Sequence, residues 1–94
     1  MLEKEIERKV CKYAQEKRIA TYKFTSPGHR SVPDRMFITE IGYLWFVEFK
    51  RKGMKPTPLQ EREHQRLRDR GMLVVVIDTV EDGIEMVDRI INLL

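Results

Sequence analysis

The segment PDRMFITEIGYLWFVEFK, residues 33–50, predicts a β-hairpin whose second strand lies inside the protein. Its two halves, 34–40 and 43–50, are rich in β-branched and aromatic residues, and the short break between them contains Gly42. Residues 43–47 are apolar on both faces, which is typical of a strand that is covered on both sides. We therefore expect residues 43–50 to form a central strand of a sheet.

The predicted hairpin brings charged side chains to one end of its two strands. Paired positions of an antiparallel hairpin have a constant sum, and a turn centred near Ile41 makes that sum about 82, which places Asp34 opposite Glu48. Glu48 and Lys50 are two positions apart, so they project from the same face of their strand, roughly 6.6 Å apart along the chain. The sequence thus predicts two carboxylates and one ammonium group in a single site.

This predicted site favours a divalent metal ion. Two facing carboxylates repel each other, and charged groups that continue a buried strand are costly unless they are paired or bind a cation. Mg²⁺ suits an incomplete protein cage because it keeps water molecules and binds phosphate oxygens, and we expect Mn²⁺ to substitute for it. The lysine could then orient or deprotonate the attacking water and stabilise a charged transition state.

The remaining sequence predicts one α/β domain over residues 1–94, with the element order αβββαβα. Helices are expected over 3–18, 58–70 and from 80 onward, and the four strands are expected over 20–25, 34–40, 43–50 and 73–77. The final strand, helix, strand sequence favours a right-handed parallel crossover beside the hairpin.

Two of the helices have distinctive sequence patterns. Thr57-Pro58-Leu59-Gln60 matches a helix start in which Thr57 caps, Pro58 takes the first helical position and Gln60 completes a capping box. In the last helix, apolar residues at helical spacing are expected to form the inner stripe: Val80, Ile84, Val87 and Ile91.

The composition limits the function classes. The 94 residues contain 41% hydrophobic residues, which is too apolar for a disordered chain. Eighteen Lys and Arg against 15 Asp and Glu leave a net charge of +3, which permits a polyanionic partner without requiring one. The lone Cys11 excludes an intramolecular disulfide and a cysteine-rich zinc site. A single cysteine makes a reducing, intracellular setting the default expectation. No apolar run approaches the roughly 20 residues that span a bilayer, so no membrane association is expected.

Pro33-Asp34 followed by Glu48-Phe49-Lys50 resembles the motif of the PD-(D/E)xK nucleases. The wider frame is similar to the virus-type replication-repair nuclease domain, VRR-NUC, and the resemblance extends from about residue 3 to residue 80. That frame comprises Ser26-Pro27-Gly28, Pro33-Asp34, residues 46–50, residues 56–60, Leu67, Gly71 and the apolar strand to Ile77. The resemblance implies a restriction-endonuclease-like core with a mixed sheet flanked by helices.

The resemblance also implies roles for individual residues. Asp34 and Glu48 resemble the metal-binding carboxylates, Phe49 would offer its backbone carbonyl to the metal, and Lys50 resembles the catalytic lysine. Gln60 resembles the family's helix glutamine near the active site. Glu7 resembles the first-helix glutamate that reaches the metal, with Glu3 as the alternative. Ser31 stands where the family usually has glycine, two residues before Pro33.

Several of these residues also have purely structural interpretations. Gln60 could serve only the capping box, and Glu7 could be a solvated helix residue. His29 and His64 are both expected at the surface, with a phosphate contact open to His29. Residues in or beside the site loops are expected to contact DNA phosphates, or else to be ordinary solvated groups. They are Lys23, Ser26, His29, Arg30, Arg35, Arg51, Lys52 and Lys55.

The sequence therefore predicts a divalent-metal-dependent DNA endonuclease that needs no small-molecule cofactor. Nothing in it resembles a base-reading module, so recognition of DNA shape is expected. Standalone family members resemble four-way (Holliday) junction resolvases, which act as symmetric pairs, so branched DNA and a C₂ homodimer are expected, in the cytoplasm of a bacterial or phage-infected cell. The alternatives are a flap- or end-directed nuclease and a DNA-structure-binding module that does not cleave.

Overall fold

The computed structural model describes all of residues 1–94 and has the predicted element order αβββαβα. The elements are α1 (Glu3–Glu16), β1 (Ala20–Lys23), β2 (Arg35–Ile38), β3 (Leu44–Phe49), α2 (Pro58–Asp69), β4 (Val74–Ile77) and α3 (Val80–Leu93). The first helix ends two residues earlier than predicted, because Arg18 has a φ of 64°, outside the right-handed helical region. The predicted α/β fold is confirmed.

The four strands form one mixed sheet in the order β1-β2-β3-β4. The first three strands are antiparallel neighbours, and β3 and β4 are parallel. The predicted hairpin is confirmed as β2 and β3, joined by a turn in which Gly42 has a φ of 84°. Because β3 has a partner on each side, its nearly uninterrupted apolar sequence is explained by its central position.

The two faces of β3 meet different layers of helix. Trp45, Val47 and Phe49 belong to the main core, together with buried residues of α1 and α3. The alternate residue Glu48 lies on the opposite face, where its carboxylate contacts α2. The sheet therefore has a large apolar layer on one side and α2 over a charged residue on the other.

The α2 helix begins with the predicted capping box. The Thr57 hydroxyl accepts a hydrogen bond from the Gln60 backbone N–H at 3.2 Å, and the Gln60 side chain accepts one from the Thr57 N–H at 2.9 Å. The helix ends before Gly71, which has a φ of 85°. These two local signals set the length of the crossover from β3 to β4.

The predicted inner stripe of α3 is partly wrong. Val87 is buried as expected, but the buried side of the helix runs through Gly83, Met86 and Ile90 rather than through Ile91, which is exposed. The cause is the packing against α1, since a Cβ atom at Gly83 would overlap the Val10 side chain. None of the three helices, which span 14, 12 and 14 residues, combines the length and apolarity needed to cross a bilayer.

Candidate active site

Asp34 and Glu48 lie side by side at the open end of the hairpin. Arg35 pairs with Val47, so the same register continued by one residue sets Asp34 opposite Glu48, as predicted. The Asp34 Oδ2 atom accepts a hydrogen bond of 2.8 Å from the Phe49 backbone N–H. The two carboxylates are thus brought together by strand pairing, and one of them is anchored to the backbone of the other strand.

Glu48 is the most deeply buried carboxylate of the chain, with only 2% of its surface exposed. Its Oε2 atom accepts a hydrogen bond of 3.3 Å from Gln60 Nε2 and lies 3.6 Å from Lys50 Nζ. Its Oε1 atom is buried and has no hydrogen-bond partner. A buried carboxylate oxygen without a donor is a strong acceptor for any cation that reaches it.

The electrostatics of the pair favour an additional positive charge. Burial, followed by the negative charge of Asp34, raises the pKa of Glu48 to about 7. Burial also raises the pKa of Asp34, although the hydrogen bond from Phe49 acts in the opposite direction. Without a cation, Glu48 therefore keeps a proton to a higher pH than an exposed glutamate does. A divalent ion would replace that proton, so the residues present fit a metal.

The protein contribution to such a metal site is small. No group of three or more His, Cys, Asp or Glu side chains is placed to hold an ion by itself. The pair of Asp34 and Glu48 therefore leaves several coordination positions to other ligands. Among common divalent ions, Mg²⁺ is the one that binds through one or two carboxylates, with water and phosphate oxygens completing its octahedron.

Glu7 of α1 forms an ion pair rather than pointing freely at this pair. Its Oε2 atom lies 2.6 Å from Arg35 Nε, and both side chains are 19% exposed. The charge of Glu3 raises the pKa of both Asp34 and Glu48, and its effect on Asp34 exceeds that of Glu7. Glu3 also shares a surface cleft with Lys50. Two first-helix carboxylates thus flank the site, and Glu3 is the one without an ion-pair partner.

The residues expected to contact DNA have different degrees of exposure. Arg35 is half-buried and bound to Glu7, and Ser26 is also half-buried. Lys23 lies opposite Arg35 in the register of β1 and β2. The Gly53 N–H donates a hydrogen bond of 3.0 Å to the Asp78 carboxylate, which connects the basic loop 51–56 to the end of β4. The exposed members of the set are Lys23, His29, Arg30, Arg51, Lys52 and Lys55.

His64 is the clearest error of the sequence-based interpretation. It was expected at the surface, but it is fully buried, with 0% exposure, and it is the one buried residue of α2. Its Nε2 atom lies 3.8 Å from Glu48 Oε1. The spacing of Gln60 and His64, four residues apart on one helix face, was the signal that could have placed both beside Glu48.

Gln60 has both of the roles that the sequence left as alternatives. Its side-chain amide oxygen accepts a hydrogen bond from the Thr57 N–H, and its amide nitrogen donates one to the Glu48 carboxylate. The capping box therefore also orients the side chain that reaches the buried carboxylate. Gln60 can have both roles because the first turn of α2 lies over the end of β3.

The loop before the motif retains a glycine-like conformation. Ser31 has a φ of 68°, in the left-handed region that glycine adopts easily and other residues adopt at a cost. The departure from glycine at this position thus leaves a backbone that still turns as a glycine would. The adjacent Pro33 is buried, which fixes the approach of the chain to Asp34.

Comparisons with known proteins agree with this fold. The fold matches a solved structure described as a VRR_NUC domain, with a TM-score of 0.79 and 31% sequence identity, over 96% of this chain and 94% of that one. A protein named "Putative nuclease p44", from Acyrthosiphon pisum secondary endosymbiont phage 1, is 53% identical over 58 residues, which is 62% of the length of each protein. No protein-family model matches the sequence. The agreement in fold and sequence across almost the whole length of the solved structure shows that the chain belongs to the VRR-NUC family of nuclease domains.

Proposed function

We propose that the protein is a divalent-metal-dependent DNA endonuclease that hydrolyses phosphodiester bonds. The observation that carries this proposal is the juxtaposition of Asp34 and Glu48, with Lys50 Nζ 3.6 Å from the Glu48 carboxylate. Two carboxylates and a lysine at one end of a hairpin supply a metal anchor and a cationic group beside it. The fit of the residues to Mg²⁺ or Mn²⁺ supports the choice of cofactor.

Each residue of the site has a defined task in this proposal. Asp34 and Glu48 would hold the ion, with the Phe49 carbonyl as a further ligand. When bound, the divalent cation supplies Lewis acidity toward the scissile phosphate and water. Lys50 orients the attacking water and stabilises the negative charge that develops on the phosphate, and Gln60 holds the Glu48 carboxylate in place.

The third carboxylate of the site is open to a direct test. Glu7 resembles the family's first-helix ligand, whereas its ion pair with Arg35 and the stronger influence of Glu3 on Asp34 support Glu3. Titration of Mn²⁺ into Glu3→Gln and Glu7→Gln variants distinguishes them. The variant that loses more metal affinity identifies the supporting carboxylate, and an equal, small loss in both would leave Asp34 and Glu48 as the only acidic ligands.

DNA is the proposed substrate because exposed basic side chains surround the acidic pair. Lys23, Arg30 and the loop residues Arg51, Lys52 and Lys55 would neutralise backbone phosphates without reading bases. Once a cation offsets the charges of Asp34 and Glu48, these basic groups would dominate the local field. A binding affinity that falls steeply with salt, and equally for unrelated sequences, is the expected signature.

We propose branched DNA as the preferred substrate and a C₂ homodimer as the active form, acting inside a bacterial or phage-infected cell. Two symmetric cuts in a four-way junction require two sites, and the similarity to a phage protein named as a nuclease supports this setting. A monomeric mass at working concentration, measured by light scattering, would contradict the dimer.

The deciding experiment compares cleavage of a four-way junction, a flap and a linear duplex with Mg²⁺, Mn²⁺ or a chelator. Metal-dependent cleavage that is fastest on the junction supports the proposal, and faster cleavage of the flap or the duplex end favours the alternative nuclease classes. Unchanged cleavage by both Asp34→Ala and Lys50→Ala variants would refute the assigned site. Metal-independent binding without any cleavage would favour a DNA-structure-binding module.

A further inference from the structure

We propose that His64 is a positioning residue that donates a hydrogen bond from Nε2 to Glu48 Oε1 and fixes the orientation in which that carboxylate binds metal. The inference rests on the metal-dependent function proposed above and assigns a role to a residue that lies outside the motif. His64 is 14 residues beyond Lys50 in sequence, so only the packing of α2 over β3 brings it to the site.

Two unsatisfied groups face each other across this contact. Glu48 Oε1 is buried without a hydrogen-bond partner, and both ring nitrogens of His64 are buried without one. The distance from Nε2 to Oε1 is 3.8 Å, about 0.6 Å longer than the roughly 3.2 Å upper end of an N–H···O hydrogen bond. Hydrogen bonds of catalytic groups are often long without ligand and tighten in the complex, so a small shift of the Glu48 side chain completes this one.

The burial of an imidazole at this position requires an explanation. A leucine would fill the space without leaving polar atoms unsatisfied, and each unsatisfied buried donor or acceptor is costly. His64 is the one buried residue of α2, and its ring lies next to the Glu48 carboxylate. An imidazole is favoured there only if its N–H has a hydrogen-bond acceptor, and Glu48 Oε1 is the acceptor that faces it.

The arrangement places a nitrogen of an α2 side chain next to each oxygen of Glu48. Gln60 Nε2 donates to Oε2 at 3.3 Å, and His64, one helical turn later, faces Oε1. A donor to one oxygen restricts rotation of the carboxylate about its last torsion angle less than donors to both oxygens do. A carboxylate has about four acceptor positions, so two donors from α2 still leave positions for Lys50 and for an ion.

An imidazole N–H aimed at a metal-binding carboxylate is a supporting donor of the kind that orients the ligands of metal sites. Donors of this kind, which support the residues that bind a metal, typically change metal affinity 10–100-fold when they are removed.

The test is calorimetric titration with Mn²⁺ alone, without DNA, on the full chain. His64→Leu removes the donor and keeps an apolar side chain of similar size, and we expect it to bind Mn²⁺ about tenfold more weakly than the wild type. His64→Gln retains an amide N–H near the position of Nε2 and is expected to recover most of that affinity. Gln65→Leu, at an exposed position of the same helix, is the matched control and should bind as the wild type does.

The outcomes separate this inference from the function on which it rests. If the wild type binds Mn²⁺ and His64→Leu binds it equally well with its fold intact, the positioning role is refuted and the metal site stands. If His64→Gln binds Mn²⁺ as weakly as His64→Leu does, the N–H donor does not determine the metal affinity and the inference also fails. Absence of Mn²⁺ binding by the wild type would refute the metal-dependent function itself. Should His64→Leu not fold, His64→Asn, whose amide is too short to reach Oε1, takes its place with the same expected loss.

Discussion

Asp34 is anchored by the backbone N–H of Phe49, the residue that separates Glu48 from Lys50, at a distance of 2.8 Å. This single hydrogen bond joins the two halves of the motif across the sheet. The relative position of the two carboxylates therefore depends on strand register, and not on the side-chain conformation of Asp34 alone. The hydrogen bond also satisfies the Phe49 N–H at the end of the strand, which would otherwise need another acceptor.

We predict that Asp34→Asn removes metal-dependent cleavage while leaving the fold intact. The asparagine amide oxygen can still accept the Phe49 N–H, but it carries no charge for the metal. We expect cleavage to fall by more than about 100-fold, since supporting partners of metal ligands alone contribute 10–100-fold. A plasmid or junction cleavage assay with Mg²⁺ measures this, and Asp69→Asn, at the end of α2, is the matched control. Activity retained in Asp34→Asn would remove this residue from the site.

We predict that the metal-free protein loses stability as pH rises from about 4.5 to about 7. The pKa of Glu48 is about 7 in the folded chain, against 4.5 for the unperturbed group, so the folded state keeps a proton that the unfolded state has released. Unfolding then becomes easier with increasing pH, by an amount of the order of 3 kcal/mol at about 1.4 kcal/mol per pKa unit. The raised pKa of Asp34 acts in the same direction.

The measurement is thermal or urea unfolding across this pH range in the presence of a chelator. Glu48→Gln cannot ionise, so its stability should depend less on pH than that of the wild type. Mn²⁺ should stabilise the wild type most at the alkaline end, because the ion competes with the proton. Parallel pH profiles for the two proteins would contradict the assignment of the titration to Glu48.

We predict that Gln60→Glu separates the capping role from the site role. A glutamate at this position can still accept the Thr57 N–H, so α2 should keep its start. It cannot donate to Glu48 and instead adds a negative charge beside it, so activity should fall by at least about tenfold, the lower end of the range for supporting residues. Thr57→Ala is the complementary variant, with about 1 kcal/mol less stability and nearly normal activity. Equal activity losses in both variants would indicate that Gln60 acts only through the helix start.

We predict that Gly83→Ala destabilises the protein by about 1–3 kcal/mol through overpacking. A Cβ atom at this position would overlap the Val10 side chain where α3 crosses α1. In a Val10→Ala background the same substitution should have a much smaller effect, because the space is then available. Urea unfolding of the four proteins in this double-mutant cycle gives the coupling, and additive losses would show that the contact of α1 with α3 does not set the constraint.

We predict that Ser31→Gly is tolerated and Ser31→Val is not. The φ of 68° at Ser31 costs about 1–2 kcal/mol for a residue with a Cβ atom, and more for a β-branched one. Glycine removes that strain at the expense of a more flexible unfolded chain, so its net effect should lie within about 1 kcal/mol of neutral. Ser26→Gly, in the same loop without a positive φ, should destabilise. A lower unfolding temperature for Ser31→Gly than for Ser26→Gly would contradict this.

The features that sequence reasoning placed correctly depend on neighbours in the chain. Asp34 and Glu48 face each other because a short turn sets the register of a hairpin, and this follows from counting positions. The helix start at Thr57 and the stop before Gly71 likewise follow from local capping chemistry. The assignment of residues 43–50 to a central strand depended on residues 43–47, which are apolar on both faces of the strand.

The features that the sequence could not specify are contacts between elements. The buried face of α3 differs from the predicted one because Gly83 lets α1 approach, which no pattern within α3 alone specifies. The ion pair of Glu7 with Arg35 joins residues 28 positions apart, so neither could be assigned a partner from the sequence.

By itself, then, the sequence determined the element order, the hairpin register and the meeting of Asp34, Glu48 and Lys50, because each depends on interactions within a strand, a turn or a helix end. Only the tertiary structure decided that α2 covers Glu48 and that His64 is buried next to Glu48 Oε1. It also decided that the side chain of Gln60, which completes the predicted capping box, contacts the Glu48 carboxylate at the same time. The physical reason is that the position of a helix over a sheet is set by the packing of the whole core, to which distant residues contribute jointly.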